Sequence, residues 1–375
     1  MKKTGQKKTD PTETRLLSLD FFRGFTMFLL VAETTALWNV LIKDPVAGTF
    51  IENIFRQFHH HPWNGLRFWD LVQPFFMFIV GVAMPFSYAK RKKRGDSNVK
   101  ITRHIIQRSI ILLAFGVGLH CVYNGKLVWE LWNVLSQLSA TILIAYFLMR
   151  FKPSVQLLAS LGLLMLTEIL YRTFPIEGFD QPFAKGNNFG SWMDMILMGK
   201  INSGGWVAIN FIPTAAHTIW GVVAGQLLRS DKTEKRKIKL LVISGVVLLF
   251  GGYLLDWTSV TPIIKRICTS SFVLSSGGWA LLVLAFSYWL IDVQKINKWI
   301  FPFVLVGMNP IFIYLFSQSV GHQWLNETTA IFTHGVLNWF SATSFLKTLV
   351  NALTVLTLEW LLCYFLYRKK IFFKI

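Results

Sequence analysis

The chain has 375 residues, 53% of them hydrophobic and 15% charged, with a mean hydropathy of +0.47. That is more apolar surface than a soluble domain can hide, so the expected solvent is the bilayer. The formal charge of +19 does not mark a nucleic-acid protein, because 27 of the 38 Lys and Arg fall in gaps between apolar runs, at 1–15, 89–108, 150–153, 229–239, 294–298 and 368–374.

Apolar runs of the ~20 residues a helix needs to cross hydrocarbon lie near 19–41, 68–89, 105–123, 131–150, 154–173, 206–228, 238–255, 270–292, 300–320 and 346–367. The expected fold is all-α, a polytopic transmembrane bundle of about ten helices with both termini cytoplasmic. Gaps rich in Lys and Arg alternate with poor ones, which is the positive-inside pattern, and an even number of crossings returns YRKK at 367–370 to the starting side. Continuous apolar runs, rather than alternating ones, argue against a β-barrel. The expected organisation is a cytoplasmic tail over 1–15, one membrane domain over 16–367 and a second cytoplasmic tail over 368–375. The first apolar run is long and lacks a small-residue cleavage site, so it reads as a retained helix. Three outer segments, 42–67, 174–205 and 321–345, exceed tight turns and are places for function. The second is expected to hold a short amphipathic helix around Met193–Met198, and the third a short helix at the outer face.

Ionisable groups inside a membrane cost roughly a few kcal/mol each, so each needs a reason. They are Asp20, Arg23, Glu33, Asp70, His120, His217 and Glu359. Asp20 and Arg23, three apart, suit an ion pair on one helix face. Glu33 and Asp70 suit a polar cavity. His59, His60 and His61 precede Pro62, Trp63, Asn64 and Gly65. Consecutive residues in an irregular segment seldom converge on one ion, so no metal is expected; a histidine in a half-buried site suits proton or acyl transfer. Gly307-Met308-Asn309-Pro310 should break its helix, and Pro213 and His217 should disturb another, turning polar groups toward a cavity. The chain has no Walker loop, dinucleotide-binding glycine pattern, HExxH or nucleophile elbow.

Four segments, SLDFFRGFTMFLL (18–30), HHHPWNGLRFWDLVQPFFMFIVGVAMPFS (59–87), TSSFVLSSGGWALL (269–282) and VGMNPIFIYL (306–315), occur in this order. Together they resemble bacterial relatives of heparan-alpha-glucosaminide N-acetyltransferase, a lysosomal membrane enzyme that acetylates terminal glucosamine from cytosolic acetyl-CoA. The resemblance implies that His60, three residues before Trp-Asn-Gly, is catalytic, and that Asp70 and Arg23-Gly24 occupy motif positions. Two departures stand out. Glu33-Thr34 replaces a helix-1 Asn of the animal enzyme, and Leu135-Ser136-Gln137-Leu138, which lacks the Arg, corresponds to that enzyme's Val-Leu-Gln-Arg.

The expected function is transfer of acetyl from cytoplasmic acetyl-CoA to an amino sugar at the outer face, in a bacterial inner membrane. His60 would take the amine proton or carry the acetyl group, with Glu33 and Asp70 orienting it or binding sugar hydroxyls. Trp63, Asn64, Asn309 and His217 are the expected acceptor contacts, and Arg23, Arg103 and Arg108 those for the CoA phosphates. Expected partners are the bilayer, the amino sugar and acetyl-CoA, with a homodimer left open. The alternative is an amino-sugar permease without transferase activity, favoured by the altered helix-1 site.

Overall fold

The computed structural model describes residues 16–373. The tail expected over 1–15 and the last two residues of the tail expected over 368–375 lie outside the described residues. In chain order the main helices are α1 (Leu17–Thr34), α2 (Val72–Lys93), α3 (Asn98–Asn124), α4 (Val134–Leu148), α5 (Pro153–Thr173), α6 (Phe189–Met198) and α7 (Phe211–Arg229). There follow α8 (Glu234–Trp257), α9 (Ser270–Ser287), α10 (Phe301–Val306), α11 (Pro310–Phe316), α12 (Asn326–Trp339) and α13 (Ser344–Arg368). Ser97, Asn133, Asn188, Thr233 and Thr343 each accept a backbone N–H at the start of the helix they precede, satisfying donors that the first turn leaves open.

The protein is a polytopic membrane helix bundle. Among the described residues seven helices are long and apolar enough to cross a bilayer, and a bent pair makes an eighth. Two more of the expected ten runs are helical but fall short of a plain span. α4 has 15 residues, and α1, with 18, carries Asp20, Arg23 and Glu33. The break expected at Gly307–Pro310 is present, with a 63° bend between Lys298–Val306 and Pro310–Trp339. Beyond it the chain differs from expectation. Instead of a span ending near 320 and a separate outer helix, one helix runs unbroken from α11 through a wide-turned stretch, Ser317–Leu325, into α12. The disturbance expected at Pro213 is absent. Proline there lies in the first turn of α7, where its missing N–H has no partner to lose.

Small residues let the central helices touch. A Cβ on Gly81 of α2 would strike the Thr218 carbonyl of α7, and one on Gly221 or Gly225 of α7 would strike Phe78 or Val82 of α2. Gly24, in the first recognised segment, faces the Phe303 carbonyl, and Gly307, in the last, faces Gly24 itself. These motif glycines therefore mark the crossing of α1 with the broken helix.

The expected alternation of basic gaps corresponds to a physical end of the bundle. Backbone N–H groups of Leu17 and Ser18 bond Asp292, Arg229 donates to Pro85, and Asn309 holds the segment at Ile371–Phe373. The connections near 94, 230, 293 and 370 thus gather at one basic end. The segments at 42–67, 125–133, 174–207 and 258–269 gather at the other.

Candidate functional site

At the non-basic end the chain from His59 to Arg67 wraps around one carboxylate. Asp70, 1% exposed, sits in the 3₁₀ turn Phe68–Leu71 that leads into α2. Its Oδ1 accepts from His60 Nδ1 at 2.9 Å, and its Oδ2 accepts from the backbone N–H groups of Arg67 at 2.9 Å and His61 at 3.2 Å. Arg67 closes the loop by donating to the His60 carbonyl at 3.0 Å. The three histidines diverge. His59 bonds the Trp38 carbonyl, His60 bonds Asp70, and the His61 ring lies against Gly65.

The Trp-Asn-Gly turn docks this loop on a distant segment. Trp63 donates to the Phe183 carbonyl, Asn64 pairs with Ile264 in an antiparallel bridge, and Gly65 N–H donates to Ile263 O at 2.8 Å. Gly65 has φ +143°, and a Cβ there would also collide with the His61 ring, so both backbone and space demand glycine. Docking at 263–264 carries Lys265 to the site. Its ammonium is 3.1 Å from His60 Nδ1, 3.8 Å from Asp70 Oδ1 and 5.3 Å from the centre of the Trp206 ring. Trp206 in turn meets the His60 ring edge-on at 5.5 Å.

Burial is the main influence on both His60 and Lys265. Burial, aided by the Lys265 charge, pushes the His60 imidazole down to about 4 against the opposing pull of Asp70. His60 is therefore neutral at physiological pH, and in the tautomer whose Nδ1–H donates to Asp70 its Nε2 keeps a free lone pair. Lys265 is pushed down to about 8 by burial, with Asp70 holding it up.

His60 and Lys265 line a cavity of about 370 Å³ together with Glu33, Trp69, Trp206 and Asn202. Glu33 accepts from Trp69 Nε1 at 3.1 Å. His120, Tyr123, Trp132 and Asn133 also line it. Glu130 holds His120 Nδ1 at 2.7 Å and takes Lys200 at 2.5 Å on its other oxygen, while His120 Nε2 is buried with no partner among the described residues. The same cavity is therefore lined by the imidazoles of two imidazole–carboxylate pairs.

A second cavity of about 200 Å³ follows toward the basic end, lined by Arg23, Arg91, Arg108, Tyr88 and Tyr146. Phe76 of α2 lines both, as the residue at which they meet. The Nε of Arg108 is buried without a partner among the described residues.

Of the residues singled out in the sequence, Glu33, His60 and His120 line the outer cavity, Arg23 and Arg108 line the inner one, and Asp70 holds His60 from behind. Others lie elsewhere. Arg103 is exposed outside the inner cavity, and Trp63 and Asn64 serve the docking of the loop. Asn309 spends its amide on the C-terminal segment, and His217, 0% exposed, bonds the Val273 carbonyl and Ser276 between α7 and α9. Asp20 pairs with Arg23 at 3.7 Å, as the spacing implies. Sequence reasoning passed over Lys265, Trp206, Asn202 and the Glu130–Lys200 pair. Lys265 and Arg266 did leave a signal: two cations in a gap that the alternation makes base-poor.

Comparison with known proteins identifies the family. The family model described as the catalytic domain of heparan-alpha-glucosaminide N-acetyltransferase matches residues 15–252. The heparan-alpha-glucosaminide N-acetyltransferases of Mus musculus and Homo sapiens are each 26% identical across 96% of this chain. The chain spans 60% of the length of these relatives.

Proposed function

Because this chain belongs to the heparan-alpha-glucosaminide N-acetyltransferase catalytic family, we propose that it transfers acetyl from acetyl-CoA to an amino sugar, with His60 as the catalytic residue. One observation carries the reading. Two cavities of opposite character lie end to end along α1, α2 and α4 and meet at Phe76. The inner one has three arginines and no acidic residue in its lining, which suits the phosphates of CoA. The outer one has His60 for the reacting amine and Glu33, Asn133, Asn202 and His120 for hydroxyls of a sugar ring. Trp206 offers the ring face that the sequence sought in Trp63.

In this mechanism the thioester of the donor reaches past Phe76 to the outer cavity. The neutral amine attacks the carbonyl carbon, and its nitrogen becomes strongly acidic as the bond forms. A weakly basic imidazole therefore suffices to take the proton at Nε2, while Asp70 holds Nδ1–H and the ring orientation. The C–S bond then breaks, and the proton passes to the departing thiolate. A permease would need the sugar to occupy the arginine-lined cavity as well. Purified protein incubated with labelled acetyl-CoA and a panel of amino sugars, read by mass spectrometry, tests the proposal directly; absence of any acetylated sugar would overturn it.

The basic end is proposed to face the cytoplasm of a bacterial inner membrane, where acetyl-CoA is made. Ser97 and Asn187 are exposed at opposite ends. In intact cells an impermeant thiol reagent should label Asn187→Cys and spare Ser97→Cys, and the reverse pattern would invert the orientation.

Donor binding has its own test. Acetyl-CoA at about a hundred times its dissociation constant stabilises a folded protein by about 2.7 kcal/mol. Arg108→Ala should lose most of the resulting melting shift, because it removes a cavity-lining guanidinium whose buried Nε has no partner among the described residues. Sugar uptake into proteoliposomes without any acetyl-CoA shift would favour the permease.

A further inference from the structure

The transfer step creates a charge that His60 does not serve. When the amine attacks, the carbonyl π pair moves to oxygen, and an oxyanion in a cavity shielded from water needs a hydrogen-bond donor already in place. The lining holds one cation beside the reacting imidazole. Lys265 is 5% exposed, its ammonium lies 3.1 Å from the His60 ring, and it lines the same cavity as His60. We propose, on the basis of the transferase reading, that the Lys265 ammonium is a catalytic residue that binds the thioester oxygen and stabilises the tetrahedral oxyanion.

The placement follows from the docking already described. Ile263 and Ile264 are fixed to the Asn64–Gly65 turn, so the next residue is delivered to the His60 side. Lys265 contacts Asp70 only at 3.8 Å, longer than the 2.9 Å of the His60–Asp70 bond, so the carboxylate supplies counter-charge without occupying all three N–H donors. Trp206 covers the ammonium on another side and excludes water. Lys265 lies beyond the residues matched by the family model, so its assignment rests on the structure alone. The electrons balance: the carbonyl pair goes to oxygen, the amine proton to His60, and on collapse the pair returns as the C–S bond breaks and the thiolate takes the proton. Lys265 keeps its own proton throughout.

That last point gives a readout that a structural role would not move. The groups acting on Lys265 are Asp70, Cys268 and Glu33, which hold the ammonium, and Arg266, which with burial opposes it, beside neutral His60. Burial leaves it titrating at about 8, so the oxyanion donor is present below that pH and lost as pH rises through it. The acceptor amine changes the rate in the opposite sense, since it loses its proton as pH rises and becomes the better nucleophile. A fall in turnover at alkaline pH therefore belongs to the protein.

The experiment uses the purified full chain with labelled acetyl-CoA and glucosamine as the probe acceptor, followed from pH 6 to about 10, the span over which an amine of lowered basicity titrates. Lys265→Met should lower kcat roughly a hundredfold, the scale of losing one oxyanion donor, while KM for acetyl-CoA stays close to the parent value. Lys265→Arg should retain much of the turnover and lose the alkaline fall, because guanidinium stays charged. Lys265→Met within threefold of the parent would overturn the assignment. So would Lys265→Arg with the parent's alkaline fall, a result that stands even if Lys265→Met fails to fold. Absence of transfer by the parent chain would instead overturn the transferase reading itself.

Discussion

His60→Ala should lower acetyl transfer by roughly a hundredfold or more, the usual scale of general-base loss, and leave folding and acetyl-CoA binding nearly intact. The ring is the only one of the three adjacent imidazoles among the cavity-lining residues. His59→Ala loses a bond to the Trp38 carbonyl and His61→Ala a contact with Gly65, so both should cost much less activity. The pH dependence has a sign that can be checked. Since the His60 value is lowered to about 4, the neutral base is present above that pH and disappears as pH falls through it, rather than near the ordinary histidine value. Steady-state rates and melting curves of the three variants decide the matter. If all three behave alike, or if well-folded His60→Ala turns over near the parent rate, His60 is not the base.

Asp70→Ala should be the most destabilising change at the site. It removes the acceptor for His60 Nδ1 and for two backbone N–H groups, and it strips the counter-charge from buried Lys265. Breaking a buried ion pair from one side costs about 3–5 kcal/mol, because the remaining charge is left uncompensated. Acetyl transfer should fall too, since the loop that carries His60 loses its centre. The double substitution Asp70→Ala with Lys265→Met separates the two contributions: removing the orphaned ammonium should restore part of the melting temperature. Asp70→Ala that melts with the parent, or a double variant no more stable than the sum of the single losses, would show that the pair contributes little.

The sequence by itself determined the class of this protein and several of the polar residues that line its cavities. Long apolar runs can satisfy their backbone in lipid only as helices, and basic residues are costly in hydrocarbon, so both the helical architecture and the basic end were legible from composition along the chain. His60, Asp70 and Glu33 were legible for a related reason: an ionisable group beside or within an apolar run is expensive, and its presence marks a cavity. The break at Gly307–Pro310 was readable from backbone chemistry alone.

What the tertiary structure decided is which polar groups meet. Lys265 comes 205 residues after His60, and the two are joined only because a glycine at φ +143° lets the Trp-Asn-Gly turn pair with Ile263 and Ile264. Asn309 and His217 looked like cavity residues because each is polar within an apolar stretch, yet Asn309 is spent on the backbone of Ile371–Phe373 and His217 Nε2 on the Val273 carbonyl and Ser276. Local cost can be read residue by residue, since each side chain meets its solvent independently. Convergence cannot, because it depends on how glycine-lined helices cross and on which loop docks against which, and those contacts join parts of the chain that no spacing relates.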